Sequence, residues 1–445
     1  MVEKDSRDVY KTLDLGLRIG EVLLSSGAGA ADVGATMLNV AIGCGLRGAT
    51  ADVTFTELAM SYQTSFEDPA LIQIRQVRHR EIDYEDLTLV DHLVRDLISG
   101  VIDRDEARNR LARIVSSGHR LPRWAVSLGW GGMGAGVGLL VGGAWQVAAI
   151  AALASVLVDR LQRRMSRQRW PGFYQQVAGG LLATLIAVAA SFTHVGVSPS
   201  LVITASIIML LAGVNFMGAI QDALTGFPLT AGARVLEALL STAGVIAGVS
   251  GGLTVGRLLG VDLGYVDPGA TSLSDLPVMS LGAAVAAAAF AFASYAPVRS
   301  LAPIAVVGVV AEVVFTLVLD LGVAWASASA AVMIGLVAYA VAGRFRVPPL
   351  VVVVPAIVPL LPGLSIYRGL SLLSDTTSGS AGLLSIITAA TIAIALASGV
   401  IFGEYLAQPL KREARRLESR LSGPRLVGPL RARSVGRQPR TPDPR

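Results

Sequence analysis

From residue 124 to residue 408 the chain is a succession of apolar runs separated by short polar breaks. A helix that crosses a bilayer needs roughly 20 mostly apolar residues. The pattern predicts about ten such segments, at 125–143, 145–158, 173–193, 198–219, 232–256, 278–295, 301–320, 325–343, 347–368 and 381–406. The first 123 residues are patterned differently. Leu13, Leu17, Leu23 and Leu24 recur at helical spacing up to Ser25-Ser26-Gly27, and Ala31 to Leu46 suits a second amphipathic helix. Val53 to Thr56 and Leu71 to Ile74 are strand-like. Asp103 followed by Glu106 is a capping box for a helix running to about Ser116.

One apolar run is interrupted in a way that a simple anchor helix has no use for. Val351 to Arg368 holds Pro355, Pro359, Pro362 and Gly363. Each proline removes a helical hydrogen bond, and freed backbone groups within a membrane are tolerated only against protein or a water-lined cavity. A matching interruption stands 150 residues earlier: Met209 to Asn215 aligns with Pro359 to Ser365 through Leu-Leu, a small or kinking residue, Gly, an aliphatic and a small polar residue. Both lead to an acidic residue and a glycine, Asp222 with Gly226 and Asp375 with Gly379. Paired interrupted segments in corresponding positions of two halves point to a transporter binding site. Five crossings in each half reverse the second copy. The expected fold is therefore a mainly α membrane protein of about ten transmembrane helices in two inverted five-helix repeats, preceded by a small α+β cytoplasmic domain.

Charge sharpens this division. Residues 1–123 carry 15 Lys/Arg and 19 Asp/Glu, residues 124–408 carry 11 and 10, and residues 409–445 carry 11 and 3. The expected domains are a soluble head (1–123), two membrane repeats (124–258 and 259–408) and a basic, largely disordered cytoplasmic tail (409–445). Lys and Arg concentrate on cytoplasmic loops. With the head inside, the inner segments hold 20 basic residues, and the outer side holds Arg257 and Arg368 alone. Both termini are thus expected in the cytoplasm of a multi-pass plasma-membrane protein. The first 26 residues are studded with charge and do not read as a signal peptide. The single Cys44 and four scattered histidines make no metal site, and no cofactor is expected. The tail suits attraction to anionic lipids, and nucleic-acid binding is not expected.

Candidate chemistry lies in the few polar residues of the apolar body. Glu312 stands near the middle of its span, either as a proton-coupling carboxylate or as a structural partner of another helix. Arg234 and Glu237 share a helix face. They are read either as a local ion pair or as a substrate-carboxylate clamp in which Glu237 fixes Arg234 and joins the proton path. Gly213, Asn215 and Asp222 in the first half, with Pro362, Gly363 and Ser365 in the second, form the expected substrate site. Asn215 and Ser365 serve equally well as helix caps. The glycine run from Gly129 to Gly138 reads as close helix packing, and a homo-oligomer through it stays open.

These residues carry a resemblance. Gly20 to Ala28, the series Gly218, Asp222, Gly226, Gly232, Arg234, Glu237 and Ala238, and the Pro355 to Gly369 segment are similar to signatures of the threonine/serine exporter family. One departure is Ala212-Gly213 where that family usually has Pro-Gly. The resemblance implies export of small hydroxy amino acids driven by the proton motive force, with no enzyme activity. A related branch implies export of dicarboxylates such as succinate. A membrane-bound hydrolase with a catalytic head is the alternative of another class, although one anchor span would suffice for it.

Overall fold

The computed structural model describes residues 6–64, 67–77, 80–192, 199–210, 213–261, 275–362, 365–366, 368–369, 372 and 379–421. Gly363, Asp375 and the tail beyond Leu421 lie outside the described residues, as does His194. The head comprises α1 (Ser6–Ser25), α2 (Ala30–Gly43), an antiparallel sheet in the order β1 (Thr50–Val53), β2 (Glu57–Tyr62), β3 (Leu71–Gln76), then α3 (Tyr84–Ile98) and α4 (Arg104–Ser116). The buried face of α1, with Val9, Leu13, Leu17 and Leu24, packs on α2 and the sheet. The Asp103 cap stands where expected, its side chain accepting from the backbone of Glu106 at 2.8 Å, and Asp83 caps α3 by accepting from that of Glu85 and Asp86. β1 begins three residues before the expected strand, and β2 was not anticipated.

The body follows as α5 (Arg123–Leu140), α6 (Trp145–Arg167), α7 (Gly172–Ser191), α8 (Pro199–Ile207), α9 (Gly213–Leu224) and α10 (Pro228–Leu258). After these come α11 (Leu276–Ala293), α12 (Val298–Val318), α13 (Val323–Phe345), α14 (Leu350–Ile357) and α15 (Gly379–Leu421). Six helices among the described residues are long and apolar enough to cross a membrane: α7, α10, α11, α12 extended to Leu321, α13 and α15. The bent pair α8–α9 makes a seventh when counted as one span. The expected ten are not all met by this criterion, for local reasons. α5 is diluted by glycine, and α6 ends in Asp159, Arg160, Arg163, Arg164 and Arg167. α14 is cut short where Pro355, Pro359 and Pro362 follow one another.

Both interruptions take the same form. α8 tightens into a 3-10 turn at Ile208–Leu210, and α9 restarts at Gly213 at 46° to it. α14 tightens into a 3-10 turn at Val358–Leu360, and Leu361 is extended. The packing order also repeats. α5 meets α6, α6 meets α7 and α7 meets α10, while α11 meets α12, α12 meets α13 and α13 meets α15. The two sets join through α5 against α11 and α9 against α15.

The glycine run serves contacts within the chain. A Cβ on Gly131 or Gly134 would run into Val156 or Ser155 of α6, and one on Gly129 into Ala293 of α11. At Gly136 it would lie 2.5 Å from the Ala286 nitrogen and 2.7 Å from the Gly282 oxygen, neither of which can yield. Gly136→Ala is therefore expected to destabilise the body by about 1–3 kcal/mol through overpacking. Gly343→Ala, where a Cβ meets nothing within 4 Å, is expected to be neutral or stabilising by up to about 1 kcal/mol. Thermal unfolding of the two detergent-solubilised variants checks the contrast.

Candidate functional site

The head sits on the body rather than apart from it. Buried apolar residues of the head and of α5, α9 and α11–α15 belong to one continuous core. Polar contacts fix the seat. The Tyr84 N–H donates to the Ser294 carbonyl at 2.9 Å, and His92 Nε2 lies 2.9 Å from the Arg346 carbonyl oxygen. Arg299 donates to that same Arg346 oxygen at 3.3 Å. Arg234, Arg299 and Arg346, assigned to the cytoplasmic side by charge alone, thus gather at the end of the body that carries the head.

The closest seat is built by Ser25-Ser26-Gly27-Ala28. α1 ends in a Schellman motif: the Ala28 N–H bonds the Leu23 carbonyl at 3.0 Å and the Gly27 N–H that of Leu24 at 3.3 Å. Gly27 has φ +98°, a conformation that favours glycine. The chain then turns through Gly29 into α2, and Gly29 has no side chain with which to cap that helix. Asp222 of α9, 192 residues away, supplies the cap: its Oδ1 accepts the Ala30 N–H at 2.9 Å. The Asp222 Oδ2 lies 3.1 Å from Nη1 of Arg234, with side-chain exposures of 1% and 11% respectively. Arg234 also donates to the Ala28 carbonyl at 3.4 Å. Gly218 leaves room for that guanidinium, since a Cβ there would stand 2.8 Å from Nη1.

Asp222 and Arg234 are therefore each other's partners and jointly grip the head. Glu237 makes no ion pair among the described residues, so the local Arg234–Glu237 pair considered from spacing is not what holds Arg234.

A cavity of about 120 Å³ opens beside this grip, lined by the Ser25–Gly27 turn and Gly29, by Arg80 to Ile82, and by Asn215, Gln221, Arg234 and Glu237. The Glu81 N–H donates to the Ser25 carbonyl at 3.0 Å and holds the 80–82 segment against the turn. Arg80 lies over the Phe55 ring, 3.8 Å from its centroid. Burial and the neighbouring Arg234 charge lower its pKa to about 10, against the pull of Glu237 and Asp222. On the other side of the grip, burial and the Asp222 charge raise the pKa of Asp32.

A second cavity, about 200 Å³, lies deeper in the body between the two helix interruptions. Its lining includes Ile208–Leu210 and Gly213–Asn215 of the first, Val358 and Leu361 of the second, and the polar residues Gln176 and Ser241. Ile82, Val214 and Asn215 line both cavities. The expected substrate residues thus divide. Asn215 stands between the cavities, Arg234 and Glu237 line the outer one, Gly213 lines the inner one, and Asp222 anchors the head. Pro362 is buried and Ser365 half-buried at the second interruption, in neither lining. Glu312, 3% exposed on α12, also lines neither. Arg80, Gln176, Gln221 and Ser241 were not anticipated. Gln176 and Ser241 have a signal, as polar residues beside Gln175 and Thr242 in apolar runs, whereas Arg80 sits in a charged stretch of the head and reads as surface.

This architecture defines a multi-pass helical membrane protein, with broken helices facing partly polar cavities beneath a small α+β head. The comparisons make the class specific. The family model described as "Putative threonine/serine exporter" matches residues 14–256, and that described as "Threonine/Serine exporter, ThrE" matches residues 279–406. The chain is 36% identical over 446 residues to the "Probable threonine/serine exporter" of Mycobacterium tuberculosis (strain ATCC 25618 / H37Rv), covering 97% of this chain and 83% of that protein. It is 33% identical over 419 residues to the "Threonine/serine exporter" of Corynebacterium glutamicum, covering 92% and 85%. No solved structure matches the chain. The chain belongs to the threonine/serine exporter family, a family of transporters and not of enzymes.

Removing either partner of the buried Asp222–Arg234 pair strands the other. Asp222→Leu and Arg234→Met are each expected to cost about 3–5 kcal/mol, and the double variant no more than the worse single. Thermal unfolding of the four proteins gives the cycle, and strictly additive losses would contradict the pairing.

Proposed function

We propose that this chain exports threonine and serine from the cytoplasm by alternating access. It works as a plasma-membrane protein of ten crossings, arranged as two inverted five-helix repeats, with both termini inside. The observation that carries the reading is the pair of cavities that share Asn215: one opens under the head, and the other lies between the two helix interruptions. A solute passing from the first to the second moves from a charged vestibule to a site faced by broken helix ends. Such ends supply unpaired backbone donors and acceptors at depth.

The repeated packing order and the paired 3-10 turns support two repeats. An odd number of crossings in each half inverts the second. The three crossings beyond the seven more apolar ones are α5, α6, whose basic end stays on the head's side, and the Pro-interrupted α14 segment, the fourth crossing of its half. The outer cavity carries both signs of charge, Arg80 and Arg234 against Glu81 and Glu237, which suits a zwitterion better than a dicarboxylate. In this reading Gly213 and Asn215 face the solute in the deep site, Pro362, Gly363 and Ser365 belong to the second interruption beside it, and Asp222 and Arg234 fix the mouth. Glu312 exchanges protons with the driving gradient, Glu237 faces the vestibule, and the basic tail rests on anionic lipid.

Cells loaded with labelled threonine, serine or succinate provide the test. Threonine and serine efflux is expected to depend on the chain and to fall with a protonophore, while succinate efflux is unaffected by the chain. Glu312→Gln is expected to remove the protonophore-sensitive component, and full coupled efflux in that variant rules out its proton role. Efflux of succinate alone reverses the substrate assignment.

A further inference from the structure

The outer cavity contains a cation whose hydrogen-bonding capacity is not used. Arg234, the expected carboxylate clamp, is spent on Asp222 and the Ala28 carbonyl. Arg80 differs. Its Nη2 is buried and has no hydrogen-bond partner among the described residues, and no ion pair to Arg80 occurs among them. A buried guanidinium N–H without an acceptor costs stability, so its place in a cavity wall calls for an acceptor that arrives from outside. Glu237, on the same wall, acts on the Arg80 charge and has no ion pair of its own among the described residues. Cation and anion thus face one small cavity, and neither has an ion pair among the described residues.

We infer that Arg80, a residue of the soluble head, recognises the carboxylate of the exported amino acid, with Glu237 of α10 taking its ammonium group. The head is then part of the substrate site, and neither it nor the membrane body holds a complete one. A guanidinium fork matches a carboxylate through two parallel N–H donors, and the Phe55 ring lies against the guanidinium, its centroid 3.8 Å from Cζ. A cavity of about 120 Å³ is well below the roughly 300–1,000 Å³ of drug-sized sites, which restricts the ligand to a small amino acid. Asn215 and Gln221 remain on the wall for a side-chain hydroxyl.

This inference rests on the exporter reading, and the experiment separates the two. Full-length protein is reconstituted in liposomes, and transport of L-threonine and of its uncharged-carboxyl analogue L-threoninamide is measured for wild type, Arg80→Gln and Arg80→Lys. Arg80→Gln is expected to raise the threonine KM by about tenfold or more, the usual scale for a lost hydrogen bond to a charged group. Its threoninamide KM stays unchanged, so discrimination between the two compounds collapses. Arg80→Lys keeps the charge but loses the fork, and gives a smaller rise in the threonine KM. It carries the same test if Arg80→Gln does not insert. An unchanged threonine KM, or an equal loss for both compounds, overturns the carboxylate role and leaves Arg80 structural. Thermal stabilisation of the same purified proteins by L-threonine and L-serine is read in parallel. Binding by wild type that Arg80→Gln loses, without transport of either amino acid, overturns the exporter reading and upholds the recognition. Absence of both binding and transport in wild type overturns both.

Discussion

A single carboxylate determines how this molecule is assembled. Asp222 caps a helix that belongs to another domain, accepting the Ala30 N–H with one oxygen and pairing with Arg234 through the other. Helix α2 begins at a glycine and has no side-chain cap of its own, so its first turn is completed only when the head is seated. The arrangement is costly in isolation: a buried ion pair repays its desolvation only with good geometry and further hydrogen bonds. Here those are the Ala30 N–H and the Ala28 carbonyl, both on the head. Docking and charge burial are therefore one event.

The cavities follow from that event. The Ser25–Gly27 turn and the Arg80–Ile82 segment form one wall of the outer cavity, and α9 and α10 form the other. Moving the head away would open the first cavity to water and leave the second as a pocket among helix ends. Excluding water strengthens each charge that lines the vestibule, and for that reason an unpartnered guanidinium there counts for more than one on a surface.

How much of this was legible in the sequence depended on how local the controlling interaction is. The Asp103–Glu106 capping box, the end of α1 at the Ser-Ser-Gly turn and the proline-driven interruption of α14 depend on neighbours within a few residues, and the chain displays them directly. The first interruption is visible by alignment with the second, despite Ala212 where the second has Pro362. β2 was missed because Glu57–Tyr62 reaches its register only through pairing with both neighbours. The sequence singles out Asp222 but does not disclose its cap on Ala30, because nothing in its surroundings reveals a helix end 192 residues away. Arg80 was invisible for the converse reason, since a cation in a charged segment looks solvated until the fold closes a cavity over it.

The head also bridges the two sets of helices, α5–α10 and α11–α15, and its polar contacts with them are unequal. Its hold on the first set is the buried Asp222–Arg234 cluster. Its polar hold on the second is the Tyr84 N–H on the Ser294 carbonyl and His92 against the Arg346 carbonyl. Breaking the first exposes uncompensated charge at a cost of several kcal/mol, whereas a neutral backbone hydrogen bond exchanged for water costs about 1 kcal/mol. If one set rocks against the other, these polar terms favour keeping the head fixed to α9 and α10 and yielding at Ser294 and Arg346, with the apolar contacts that the head shares with α11–α15 and the His119–Tyr295 stack adding to the cost of that release. The outer cavity lies almost wholly between the head and the first set, with only Leu350 and Val354 contributed by the second. Its charged wall then stays intact through such a motion, while the inner cavity, divided between the two interruptions, is the part that must change shape.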